Sequence, residues 1–211
     1  MRLMIAVPCM DMVHALFFRS FAGLRLPAGT EVVISTSSLI YDARNQLARK
    51  AVEGGYDRVL WLDSDMVFDP DLAERFMADL DGGLEYVSGL FFSRRAPVRL
   101  CAYDVCGVKV SDDEGHVPTV HSFEKLPDAP VFEVAASGLA AVCMSTDLIA
   151  RIAERFGLPF SPVMGFGEDL SFCMRARELG ARLWCDSRIR LGHVGHAIFD
   201  YNVWPGRDAH G

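Results

Sequence analysis

The stretch Arg58-Val59-Leu60-Trp61-Leu62-Asp63-Ser64-Asp65-Met66 decides how the rest of this sequence is read. Val59 to Leu62 is an apolar run of the kind that forms a strand buried on both faces. Two carboxylates, two residues apart, break it. Side chains at that spacing at a strand end point the same way and can serve one ligand cluster. A hard divalent cation on carboxylate oxygens neutralises a diphosphate leaving group, so this residue pattern suits that chemistry. The same D-x-D spacing recurs at Asp69-Pro70-Asp71 and Asp79-Leu80-Asp81. Those copies fall where a helix begins and ends, and capping or solvation accounts for them. Only Asp63-Ser64-Asp65 follows a buried strand, and its bland alternative is a polar turn.

Working outward, Leu3 to Val7 reads as a buried strand ended by Pro8, and Glu31 to Thr36 is a second, β-branched strand. Between Tyr41 and Glu53, Ala43, Leu47, Ala51 and Val52 recur at helical spacing before Gly54-Gly55 stops them. Beyond the carboxylates, Asp69-Pro70 predicts a helix start with a capping Asp and a first-turn Pro. Leu72, Phe76 and Leu80 mark that helix, Gly82-Gly83 closes it, and Glu85 to Phe92 is a further strand. Alternating strands and helices predict an α/β fold with a mainly parallel central sheet and helices on both faces. Ligands of such sheets gather at the carboxyl ends of the strands. The polar segments Pro8 to Asp11, Asp63 to Asp65 and Ser93 to Arg95 fall there.

From Ala96 to Glu133 the pattern weakens. Val98 to Val110 predicts strands, and Asp112-Asp113-Glu114-Gly115 a turn. Ala140 to Met144 is another buried strand, after which Ser145 caps a helix with Leu148, Ile149, Ile152 and Phe156 on its core face. A helix from Glu168 to Leu179 ends at Gly180, and Arg182 to Cys185 is a last short strand. Asn202 to Gly211 shows no periodicity. The expected organisation is one catalytic domain, with a nucleotide-binding half at 1–95, an acceptor and catalytic half at 96–200, and a flexible tail at 201–211.

Composition narrows the function classes. Of 211 residues, 51% are hydrophobic and 23% charged, which is ample for a packed core. A net charge of −7 argues against a nucleic-acid partner, since the surface repels a phosphate backbone. Six cysteines lack C-x-x-C spacing and lie in apolar runs, so reduced core thiols and a cytoplasmic setting are expected. No apolar run approaches the ~20 residues of a membrane span, so no transmembrane segment is expected. Any membrane contact would be peripheral, at the inner face.

Three further groups bear chemistry. Gly165-Phe166-Gly167-Glu168-Asp169 displays two carboxylates at a helix start, where either could deprotonate an acceptor hydroxyl, or simply complement the helix dipole. Leu191-Gly192-His193-Val194-Gly195-His196 offers an imidazole to complete a site begun by carboxylates, although a lone His is more commonly structural. His193-x-x-His196 also has a zinc-like spacing, but no third soft ligand is near. Arg44, Asn45, Arg94 and Arg95 lie near the same strand ends and suit phosphate groups or solvent equally.

As an ordered set these residues resemble glycosyltransferases of the GT-A fold, particularly small family-two-like enzymes of bacteria and phages. The resemblance runs through Pro8, Asp42-Ala43-Arg44-Asn45, Trp61-Leu62-Asp63-Ser64-Asp65, Gly89-Leu90-Phe91-Phe92-Ser93-Arg94, Gly167-Glu168-Asp169 and His193. It implies a Rossmann-like nucleotide-diphospho-sugar transferase with Mn2+ or Mg2+ as cofactor and a UDP- or GDP-sugar as donor. Pro8, Arg44 and Asn45 would line the nucleotide, together with the Asp63-Ser64-Asp65 turn. Asp63 would bind the donor's ribose or uracil side, and Asp65 and His193 the metal. Asp169, with Glu168 second, would be the base of an inverting displacement. The acceptor, a saccharide, lipid or protein, would be recognised by 96–133 and the tail.

Three other readings compete. A haloacid-dehalogenase-like phosphatase also places D-x-D after a strand, but after its first strand, and its lysine is missing here: Lys50, Lys109 and Lys125 lie elsewhere. A nucleotidyltransferase would want a Gly-rich loop after the first strand, which Pro8-Cys9-Met10-Asp11 is not. A non-catalytic nucleotide-sugar-binding subunit would share Asp63 and Asp65.

Overall fold

The computed structural model describes residues 1–111, 115–195 and 198–205. The first half of the chain runs β1 (Leu3–Cys9), α1 (Ala15–Ala22), β2 (Glu31–Thr36), α2 (Ile40–Glu53), β3 (Arg58–Leu62), β4 (Met66–Val67), α3 (Leu72–Asp81) and β5 (Tyr86–Leu90). Four strands follow: β6 (Ala102–Ser111), β7 (Gly115–Ser122), β8 (Val131–Val134) and β9 (Ala136–Ser137). The second half holds β10 (Ala141–Ser145), α4 (Thr146–Phe156), α5 (Glu168–Glu178), β11 (Leu183–Arg190), β12 (Gly192–Val194) and β13 (Ile198–Phe199).

Seven strands form the central sheet in the order β2-β1-β3-β10-β5-β11-β8. The central strands are buried throughout, and successive side chains alternate between two cores, as a sheet covered on both faces demands. Met4, Ala6, Val59, Trp61, Val142 and Met144 face the core shared with α2, α4 and α5. Leu3, Ile5, Leu60, Leu62, Ala141 and Cys143 face the core shared with α1 and α3. All six cysteines are free thiols.

The sheet is mixed, which corrects the mainly parallel arrangement expected from the sequence. β1 runs parallel to β2 and β3, and β11 parallel to β5. β10, however, lies antiparallel between β3 and β5, and β8 antiparallel on β11. A parallel return needs a crossover, usually helical. Between β5 and β10 the described residues form strands and no helix, with β6 paired to β7 and β9 in a small side sheet, and the chain re-enters the main sheet reversed.

Other boundaries also shift. β1 does not end at Pro8 but continues to Cys9, paired with Thr36 of β2. Its pairing with β3 stops at Ala6, and the edge this leaves tolerates a proline. The helix expected from Asp69-Pro70 begins instead at Leu72, with Asp71 at its N-cap making no side-chain capping bond. Ser145 caps α4 as expected, accepting from the Leu148 N–H. The tail opens with a short 3-10 turn at Tyr201–Val203, and Trp204 is buried against Phe92 with ring centroids 5.6 Å apart. Residues 112–114 of the expected turn, and His196, lie outside the described residues. No helix among the described residues is long and apolar enough to cross a membrane.

One of the helix-end carboxylates is not simply solvated. Asp79 of α3 has a nearly buried side chain, with Oδ1 3.4 Å from the Arg188 guanidinium and Oδ2 buried without a hydrogen-bond partner among the described residues. Burial, then repulsion from Asp186, pushes its carboxyl up to about 6. Because this lies above the unfolded value of ~3.9, the native state holds the extra proton. That contribution is complete below pH ~4 and lost as the pH rises through 6. Asp79→Asn is therefore expected to raise stability at pH 8 by on the order of 1–2 kcal/mol, with the gain vanishing at pH 4. Urea unfolding at the two pH values checks this, and an equal gain at both would contradict it.

Candidate active site

The Asp63–Asp65 turn sits at the carboxyl end of β3. Asp63 N–H donates to Ala140 O at 2.9 Å, extending the β3–β10 ladder by one bond, and Met66 N–H closes the turn on Asp63 O at 3.2 Å. β4 then leaves the main sheet and pairs antiparallel with β12, setting His193 opposite Met66. Val194 N–H donates to Asp65 O at 2.9 Å. A strand from the far end of the chain is thereby clamped to the turn, and His193 Nε2 lies 3.4 Å from Asp65 Oδ1.

The imidazole's other nitrogen fixes its tautomer. His193 Nδ1 lies 2.9 Å from Phe92 O, and a carbonyl only accepts, so Nδ1 carries the proton. In the neutral ring the Nε2 lone pair then faces Asp65 Oδ1, a buried oxygen with no hydrogen-bond partner among the described residues. Two acceptors face each other, and either a proton or a cation must lie between them. Their separation suits neighbouring donors to one ion at ~2.1 Å from each. Among the described residues no cluster of three or more His, Cys, Asp and Glu side chains could hold a metal ion. Asp65 and His193 are two donors, fewer than a closed cage needs, and a cation held there would take its remaining ligands from outside these side chains. Burial favours the neutral Asp65 acid, but the His193 and Arg94 contacts outweigh it and hold the carboxyl below its usual range.

Asp63 belongs to a second arrangement centred on Arg44. This α2 side chain is 2% exposed, and its Nη2 donates to Asp63 Oδ1 at 2.8 Å. Its Nε donates to Glu168 Oε1 at 3.3 Å, Nη1 reaches Leu139 O at 3.5 Å, and the guanidinium lies 5.7 Å from the Trp61 ring centre. Burial works against its charge, but Asp63, Glu168 and Asp169 reverse the balance and raise its pKa. Burial in turn raises the Asp63 carboxyl, although Arg44 opposes it.

Glu168 and Asp169 open α5 behind an N-cap glycine without a side-chain cap. Asp169 Oδ1 accepts from Leu170 N–H at 2.7 Å. A Cβ at Gly167 would come within 2.9 Å of that carboxylate oxygen, so a side chain there would push the Asp169 carboxylate aside. Burial, then the neighbouring Glu168 charge, pushes Asp169 up to about 6. Two carboxylates in one first turn satisfy the helix dipole, and here one of them is also poised to exchange a proton.

Not every expected residue joins the site. Asn45 Oδ1 accepts from Phe160 N–H at 3.0 Å, so the side chain pins the 157–160 segment to α2 instead of facing Asp63. Pro8 is buried within β1. Ser64 is half-buried, and its carbonyl accepts from His14 N–H at 2.9 Å. His14, the N-cap of α1, therefore braces the turn. Nothing in its own neighbourhood of sequence marks His14, and the helical spacing of Phe17 and Phe21 that places it is masked by the apolar run around them. Arg94 does reach the site, with Nη1 2.6 Å from Asp65 Oδ2.

No protein-family model matches the sequence. No curated protein matches it either. A solved structure does, described as the crystal structure of A197 from STIV, with a TM-score of 0.65 over 92% of this chain and 86% of that one. The chain shares this fold. At 18% identity the likeness extends to the fold, which in this chain is an α/β domain on a mixed seven-stranded sheet, and not to side chains.

Proposed function

We propose that this chain is a metal-dependent glycosyltransferase of GT-A type, moving a sugar from a UDP- or GDP-sugar to an acceptor hydroxyl. The observation that carries the reading is Asp65 Oδ1, buried without a hydrogen-bond partner among the described residues and 3.4 Å from the Nε2 of His193 at the carboxyl edge of the sheet. One carboxylate and one imidazole suit Mn2+ better than the harder Mg2+. Bound there, such a cation would screen the charge of the departing diphosphate. Asp63, steadied by Arg44, turns its remaining oxygen to the donor's ribose. Asp169 takes the acceptor proton, and Glu168, held by Arg44, keeps that end of α5 in register.

The acceptor is assigned to the 96–133 segment. A cavity of about 720 Å³ opens there, lined by Arg99, Asp104, His121, Lys125 and Trp204 among others. Its size suits a small ligand. Trp204 packs on Phe92, whose carbonyl orients His193, so cavity and cation site share a wall.

The phosphatase alternative needs Asp63 as a free nucleophile, and the Arg44 contact at 2.8 Å disfavours that role. Asp65→Asn is expected to remove the Mn2+-dependent part of UDP or GDP binding, weakening it about a hundredfold. His193→Ala should cost about tenfold. Calorimetry with and without Mn2+ reads both. Unchanged affinities would sink the metal assignment, and phosphate release from sugar phosphates would favour the phosphatase.

A further inference from the structure

The segment after β5 forms a closed loop. Phe92 bridges Leu100, Ser93 N–H donates to Arg99 O at 2.8 Å, and Arg99 N–H donates to Ser93 Oγ at 3.1 Å. Between these neck bonds the loop carries Arg94, Arg95 and, at its end, Arg99. Arg94 turns back onto Asp65, using the oxygen that His193 does not face. Its side chain is 51% exposed. Its stem has a neighbour: a Cβ on Gly195 would lie 3.6 Å from Arg94 Cβ, so the backbone just after β12 packs beside the base of the side chain. The guanidinium can swing while its root stays beside the site.

We propose that Arg94 is an internal counter-ion for Asp65 that a divalent cation displaces, and that the freed guanidinium then binds the diphosphate of the donor. The proposal rests on the metal-dependent reading above. Arginine stays charged at every working pH, so before a cation arrives it is Arg94 that balances Asp65. A cation shared by Asp65 and His193 draws the same carboxylate charge and repels the guanidinium. An ion pair this exposed is weak and yields readily. Phosphate oxygens completing the cation's coordination would lie within the side chain's swing, and a guanidinium fork engages phosphate in two parallel hydrogen bonds.

The two roles predict opposite effects of one substitution. Arg94→Gln is expected to tighten Mn2+ binding in the absence of nucleotide by about two- to fivefold, because the competitor is gone. The same variant should weaken UDP or GDP binding at saturating Mn2+ by about ten- to a hundredfold. Arg94→Lys should restore wild-type Mn2+ affinity but only part of the nucleotide affinity, and Arg95→Gln should leave Mn2+ affinity unchanged. A merely structural role would weaken both ligands together. Calorimetric titration of Mn2+ alone, then of each nucleotide in excess Mn2+, reads every case. Mn2+ affinity that is unchanged or weaker in Arg94→Gln overturns the counter-ion role, and unchanged nucleotide affinity overturns the phosphate role. If the wild-type chain binds neither Mn2+ nor either nucleotide, the metal-dependent reading itself fails and this proposal with it.

Discussion

Asp169→Asn is expected to abolish sugar transfer while leaving the donor bound. The substituted amide oxygen can still accept from Leu170 N–H, so the start of α5 keeps its shape. What disappears is the proton acceptor. Burial, and then Glu168, lift this carboxyl to about 6, close to the operating range in which a general base is most effective. The loss should be about a hundred- to ten-thousandfold in turnover, with nucleotide affinity within about twofold of wild type. The sign of the pH dependence follows from the raised value. Below 6 the wild-type carboxyl is protonated and cannot accept, so the rate should climb as the pH rises through 6 and then level. The residual rate of Asp169→Asn should lack that limb. Glu168→Gln is the control, expected to keep most of the rate, with the limb moved to lower pH because the Glu168 charge no longer raises Asp169. If it is the dead variant and Asp169→Asn is active, the two roles are exchanged.

The second large effect is expected at Arg44. Its guanidinium is almost wholly buried and serves Asp63 on one side and Glu168 on the other. Arg44→Gln leaves these carboxylates, with Asp169 close by, without a counter-charge in a poorly solvated place. Breaking a buried pair by removing one partner costs about 3–5 kcal/mol, most of it the penalty of the abandoned charge. Arg44→Lys should recover only part, because one ammonium cannot present separate donors along two directions. Denaturant unfolding at pH 7 measures both. The deficit should narrow toward pH 5, as the stranded carboxyls take up protons. A loss below ~1 kcal/mol at pH 7 would mean that Arg44 is not the bridge between the donor half of the site and α5.

Local pattern was enough for much of this molecule. The apolar runs at Leu3 to Val7 and Val59 to Leu62, the helical spacing of Ala43, Leu47 and Ala51, and the Ser145 cap all emerge as read. Where the reading failed, the deciding interaction was distant or the element very short. α1 was missed because Val13 to Phe18 is nearly continuous in apolar residues apart from His14, masking the Phe17 and Phe21 spacing. β4 and β12, of two and three residues, are too short for any periodicity, yet their pairing brings His193 to Asp65. Asn45 looked like a ligand residue from its neighbour Arg44. One helical step of about 100° separates them, and it sends Asn45 to Phe160.

By itself the sequence determined the longer strands and most of the helices, and that acidic residues collect where strands end, because burial period and carboxylate spacing are local properties of the chain. The tertiary structure alone decided that β10 runs against its neighbours, that Arg44 ties Asp63 to Glu168, and that Arg94 and His193 divide the two oxygens of Asp65. Those facts depend on which distant segments share a sheet edge, and strand pairing leaves no mark in either strand that names its partner.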